Sequence, residues 1–63
     1  MVYILAINPV GFGDIVEEHV YKTFNRARNK AIAYSNTHGN EIQCRVYEAD
    51  NEFTARRRLV FTL

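Results

Sequence analysis

The sequence predicts an α+β domain: a small antiparallel β-sheet, ordered ββαββ, with one helix packed on one face. Three stretches predict it. Thr23 to His38 has helical apolar spacing and is closed by Gly39. Glu41 to Glu48 alternates apolar and polar residues, the period of a half-buried strand. Val2 to Ile7 is a β-forming run that is apolar on both alternations, as an interior or central strand is. A second reading of residues 15–22, taken up below, gives βαββ instead.

Taken in order, the first strand ends at Asn8-Pro9, because proline cannot donate to a ladder. Val10-Gly11-Phe12-Gly13-Asp14 is a loop whose glycines suit positive φ. It lacks the longer glycine pattern and the following lysine of a phosphate-cradling loop. Phe12 at its tip either folds back onto the core or is displayed to a partner. Residues 15–22 read as a strand that pairs back on the first across the glycine loop. They also read as a helix, since Asp14-x-x-Glu17 resembles a capping box and Val16 and Val20 extend the apolar stripe of the next element. That helix would be about 35 Å long, too long for strands of this size, and would bring Glu17 near the buried stripe. The hairpin is therefore the adopted reading.

Thr23 can cap free N–H groups of the helix, and Gly39 can take the left-handed conformation that ends it. Phe24, Ala27, Ala31, Tyr34 and Ser35 fall on one side with Ile32 flanking, and the alanines allow close approach to a sheet. In the following strand Ile42, Cys44 and Val46 face inward, and Gln43, Arg45 and Tyr47 outward. A two-residue turn at Asn51-Glu52 then leads to a last strand, Arg57 to Leu63, with Leu59, Phe61 and Leu63 on one face. This register sets Cys44 against Leu59, Ile42 against Phe61, Arg45 against Arg58 and Tyr47 against Arg56. A short helix from Asn51 through Arg58 is the rival.

The 63 residues suffice for one small domain with a limited core. The single cysteine, Cys44, rules out an internal disulfide and suits a reducing cytoplasm, and no Cys/His array can close a structural zinc site. Val2 to Ile7 is too short for a secretory signal and no apolar run reaches membrane length, so no membrane association is expected. Eight basic and seven acidic residues leave a net charge of +1, which argues for neither nucleic acid nor membrane globally. Catalysis is not expected: Cys44 falls on the inward face, His38 suits a helix C-terminus, and Glu17-Glu18-His19 has no spacing to complete a metal site. No cofactor is implied.

What is left is binding. Arg45, Tyr47, Arg56 and Arg58, gathered by the expected register, make a patch with the composition of an interface seeking an acidic protein surface, and Phe12 is a further contact candidate. The last strand, as an edge, could accept a partner's strand or a second copy of the chain. The alternative partner is nucleic acid, held by the same face together with Arg26, Arg28, Lys30 and Arg57.

The helix entry, Tyr21, Thr23, Phe24, Asn25, Ala27 and Ala31, resembles that of small phage-encoded early proteins that bind and inhibit host enzymes. It is similar in particular to the small RNA polymerase inhibitor of T-odd-type phages. The resemblance implies a non-catalytic inhibitor or modulator of a larger host protein, acting in the host cytoplasm. The C-terminal strand with Arg56-Arg57-Arg58 departs from that pattern, and no interface residue of the family maps onto a matching position here.

Overall fold

Strand β1 (Val2–Pro9) is the spine of a four-stranded antiparallel sheet, and Ile4 through Ile7 are buried along it on both faces. The computed structural model describes residues 1–11 and 16–63. After β1 come β2 (Glu17–Tyr21), helix α1 (Phe24–His38), a short 3-10 turn (Gly39–Glu41), β3 (Ile42–Ala49) and β4 (Arg58–Thr62). The strands lie in the order β2-β1-β3-β4. Both β2 and β3 run antiparallel to β1, so α1 is the crossover that carries the chain over β1 from one to the other.

The expected ββαββ order is the observed one. Residues 17–21 pair with β1, which overturns the long-helix reading there; Asp14 and Ile15, where that helix would begin, lie outside the described residues. Thr23 Oγ1 accepts the Arg26 backbone N–H at 3.2 Å and starts α1. Gly39 ends it at φ 58°, where a side chain would be strained, and its N–H donates to the Ser35 carbonyl.

Ala27 and Ala31 are fully buried against Leu5, Ile7, Cys44 and Val46. Because these two side chains are small, the helix sits close over β1 and β3. Larger groups close the two ends. Phe24 meets Tyr3 and Phe61 edge-on, with ring centroids 5.9 and 6.2 Å apart. At the other end Tyr34 stacks between His19 and His38.

Strand β4 departs from the expected register. Backbone hydrogen bonds join Cys44 to Leu63 rather than Leu59, a slip of four residues, and Phe61 faces Val46. An even slip preserves the inside–outside alternation, so hydrophobic pattern alone cannot separate the two registers. Between Val46 and Tyr47 the ladder then shifts at a bulge, and Val60 has no partner of its own. Val60 and Phe61 both pack toward the helix side, while Leu59 moves to the opposite face beside Tyr47 and is 50% exposed, not buried as expected. Arg45 therefore faces Thr62 and Tyr47 faces Leu59; the juxtapositions of Arg45 with Arg58 and Tyr47 with Arg56 do not occur.

The two-residue turn is replaced by a longer connection over residues 50–57. Asn51 Oδ1 accepts the N–H groups of Phe53 and Thr54 at 2.8 and 3.0 Å, and Thr54 Oγ1 accepts that of Arg56 at 3.2 Å. Residues 50–57 form turns and bends held by these local bonds, so the rival short helix does not form.

Two outcomes test this packing. Ala31→Leu should overpack the helix–sheet contact and cost about 1–3 kcal/mol in chemical denaturation. Burial pushes the Cys44 thiol above its ordinary 9.0, and burial followed by the neighbouring Tyr34 pushes the Tyr21 phenol above 10.0. Both groups hold their protons more tightly folded than unfolded. The stability they contribute is whole below pH 9 and is lost as pH rises through their folded values. Urea midpoints should fall above about pH 9, and less steeply in Cys44→Ala.

Candidate functional site

With α1 on one face, the other face of the sheet has no second layer of secondary structure among the described residues. It presents Val16, Glu18 and Val20 from the β2 side, Ile4, Ala6 and Asn8 from β1, Gln43, Arg45 and Tyr47 from β3, and Leu59 from β4. Ile4 is nonetheless only 1% exposed. Val20 and Tyr47 flank it in the ladder, and Arg57 crosses this face to the far edge strand. There its guanidinium forks onto Glu18, Nη1 to Oε2 at 2.7 Å and Nη2 to Oε1 at 3.3 Å. The bond from Glu18 is the main reason the Arg57 pKa is raised.

Beneath that bridge lies a depression of about 320 Å³ lined by Asn8, Gln43, Arg45, Tyr47, Glu18 and Arg57. Arg45 has no acidic partner among the described residues; its guanidinium donates to Gln43 Oε1 at 3.0 Å. Asn8 Oδ1 is shielded from solvent and accepts no hydrogen bond among the described residues. A shielded carbonyl oxygen without a donor is rare in folded proteins, and here it borders a cavity open to an incoming group.

The structure divides the expected arginine patch. Arg45 and Tyr47 share the open face, as expected, but with Arg57 rather than Arg58. Arg58 lies on the helix side, where it donates to Glu48 Oε1 at 2.9 Å, and Glu48 also accepts from the Tyr3 hydroxyl. Arg56 is exposed on the connection between β3 and β4, and lines a shallow hollow of about 290 Å³ with Met1, Asp50 and the two neighbouring arginines. Phe12 lies outside the described residues. The four cations assigned to nucleic acid are also separated. Arg57 is held by Glu18 on the open face, Arg26 and Lys30 share one flank of α1, and Arg28 projects from its other flank.

One prominent residue escaped the sequence reading. Phe53 is 89% exposed, at the tip of the connection braced by Asn51 and Thr54. Its signal was present as an aromatic within Asn51-Glu52-Phe53-Thr54, a run whose Asn and Thr favour local side chain–backbone turns.

The remaining chemically notable side chains are occupied. Cys44 is sealed under α1, and His19 and His38 stack on either side of Tyr34. His19 Nε2 is 3.2 Å from Glu17 Oε2, but the two are not aligned as a hydrogen bond. Among the described residues no group of three or more His, Cys, Asp and Glu could hold a metal ion, and no helix is long and apolar enough to cross a membrane. Comparison with family models, curated proteins and solved structures returns no match.

Arg57→Ala should release the cover of the open face. The Arg57–Glu18 pair is partly exposed, so the stability cost should stay within about 1 kcal/mol. Amide hydrogen exchange over residues 50–57 should accelerate clearly, and Glu18→Gln should reproduce the effect in weaker form.

Proposed function

We propose that this chain is a non-catalytic protein-binding module that inhibits or modulates a larger protein with an acidic surface. The observation that carries the reading is Phe53. A large apolar side chain 89% exposed contributes little to folding, yet three local hydrogen bonds fix the backbone around it. Holding an exposed aromatic in one place lowers the ordering cost of inserting it into a partner. Arg56 and Arg57 follow on the same connection, and Arg45 with Tyr47 lies on the open face that Arg57 reaches, so the surface beyond the anchor is cationic. An acidic rim around an apolar pocket is the complementary surface.

The absence of catalysis in this reading is supported by Cys44, whose buried thiol is held protonated, and by the two stacked imidazoles. Nucleic acid is the second class considered, and the division of Arg26, Arg28, Lys30 and Arg57 among separate surfaces counts against it. The phage-type character, the host target and the host cytoplasm rest on the helix-entry residues alone.

Capture from a bacterial lysate, with and without nuclease, tests the proposal. A protein partner should survive nuclease. Phe53→Ala and Arg45→Ala should each leave thermal stability nearly unchanged, and together weaken capture by at least about 2 kcal/mol. Arg58→Ala should cost only a few tenths of a kcal/mol in folding, because its exposed guanidinium faces Glu48 rather than another arginine. A partner lost on nuclease treatment, with affinity falling log-linearly in salt, would instead mark a nucleic-acid binder.

A further inference from the structure

We infer that the groove between β2 and α1 receives an extended segment of a partner protein, alternating acidic and apolar residues, as a fifth strand of the sheet. The site uses β2 and α1 rather than the Phe53 connection, so it stands or falls separately from the reading above.

Four observations converge on it. First, β2 is an edge whose outward backbone groups can be assigned. The Val10 N–H donates to the Glu41 carbonyl at 2.9 Å, which fixes the phase of the β1–β3 ladder. By alternation, Tyr3, Leu5 and Ile7 bond to Tyr21, His19 and Glu17, and Glu18 and Val20 direct their N–H and C=O groups to the free edge.

Second, α1 packs mainly over β3 and β1, which leaves a groove on the β2 flank. Its first part, about 430 Å³, is lined by Tyr21, Arg26, Asn29, Lys30 and Ala33. A second hollow of about 220 Å³ shares Lys30 and Ala33 with it and continues past Tyr34 and Thr37 to His38. From Arg26 to His38 the helix rises about 18 Å, close to the 17 Å of a five-residue strand.

Third, the groove is basic. Arg26 and Lys30 sit one helical turn apart and have no ion-pair partner among the described residues. Acidic side chains at alternate positions of an added strand would reach them. Glu17 bounds the far end, so the acids belong at the Tyr21 end.

Fourth, the opposite face of the same edge is apolar. Val16 and Val20 are 48% and 43% exposed. The intervening residues of an added strand would cover them, which sets the acidic–apolar alternation. Edge β4 is less suited, because the Val60 bulge bends its ladder, whereas β2 pairs with β1 in unbroken register.

The test is an NMR titration of the intact chain with a capped hexapeptide alternating glutamate and valine. Alongside it run the same peptide N-methylated at alternate backbone amides, and a short oligo-deoxythymidylate. The expected result is slowed exchange at the Glu18 and Val20 amides, with shifts at Arg26 and Lys30. The N-methylated peptide should lose binding. Arg26→Glu combined with Lys30→Glu, both exposed on the helix, should weaken it at least about tenfold, and Phe53→Ala should leave it unchanged. Equal binding of the N-methylated peptide would overturn strand addition. Preferential binding of the oligonucleotide in the groove, or no groove footprint at millimolar peptide, would also overturn the proposal.

Discussion

A sheet has two faces, and the described residues of this chain offer a single α-helix to cover them. Much of the structure follows from that constraint. On one face the solution is apolar: Ala27 and Ala31 bring α1 down onto Leu5, Ile7, Cys44 and Val46, and Phe24 and Tyr34 close the ends. On the other face the described residues form no second layer, yet Ile4 is as well buried as the main core. Val20 and Tyr47 flank it in the ladder, and one long amphipathic side chain reaches over the same face. The methylene stem of an arginine can lie on apolar surface while its head seeks charge. Arg57 crosses the face in this way, and Glu18 on the opposite edge strand supplies the charge.

That crossing helps explain the connection between β3 and β4. A two-residue turn would have brought the last strand back immediately and left no chain to supply the cover. The longer path over residues 50–57 carries Arg57 to the open face before β4 begins at Arg58. The bulge at Val60 then adjusts the side-chain phase. Arg58 emerges on the helix side opposite Glu48, while Val60 and Phe61 both reach the core. Leu59 is exposed on the open face as a result. Three consecutive arginines thus acquire three environments: Arg56 in solvent, Arg57 bridged to Glu18, and Arg58 paired with Glu48.

The sequence made the helix and β3 legible because each is written in a local period, and β1 because it is a continuous β-forming apolar run. Residues 15–22 fitted both a strand and a helix and were separated by the length such a helix would need. Thr23 and Gly39 bracket α1 within a residue of its ends, and Ile42, Cys44 and Val46 announce the inner face of β3. The last strand was legible as an element but not in register. Even slips leave its hydrophobic alternation unchanged, and a bulge inserts a residue that no periodicity records. The errors in the candidate site follow directly. Arg45 and Tyr47 were placed correctly because β3 was, whereas Arg56 and Arg58 inherited the wrong register, and Phe53 was hidden inside an assumed tight turn. The Arg57–Glu18 bridge joins residues 39 positions apart across the sheet, so it is visible only once the strand order is known.

The two edges of the sheet differ in ways that bear on binding. Edge β4 has the same length as β2, but it is bulged and its first residue is a charged arginine; both features discourage continuation of the ladder. Edge β2 carries charge as well, but Glu18 is drawn toward Arg57 and Glu17 lies beside His19, close to the sheet. Among the described residues, its backbone groups at Glu18 and Val20 have no such cover. The helix that seals β1 and β3 stops short of this edge, and that offset creates the groove lined by Tyr21, Arg26 and Lys30. One helix over four strands therefore sets both what is sealed and what is left open: it covers the central strands and leaves a basic channel beside the unbulged edge.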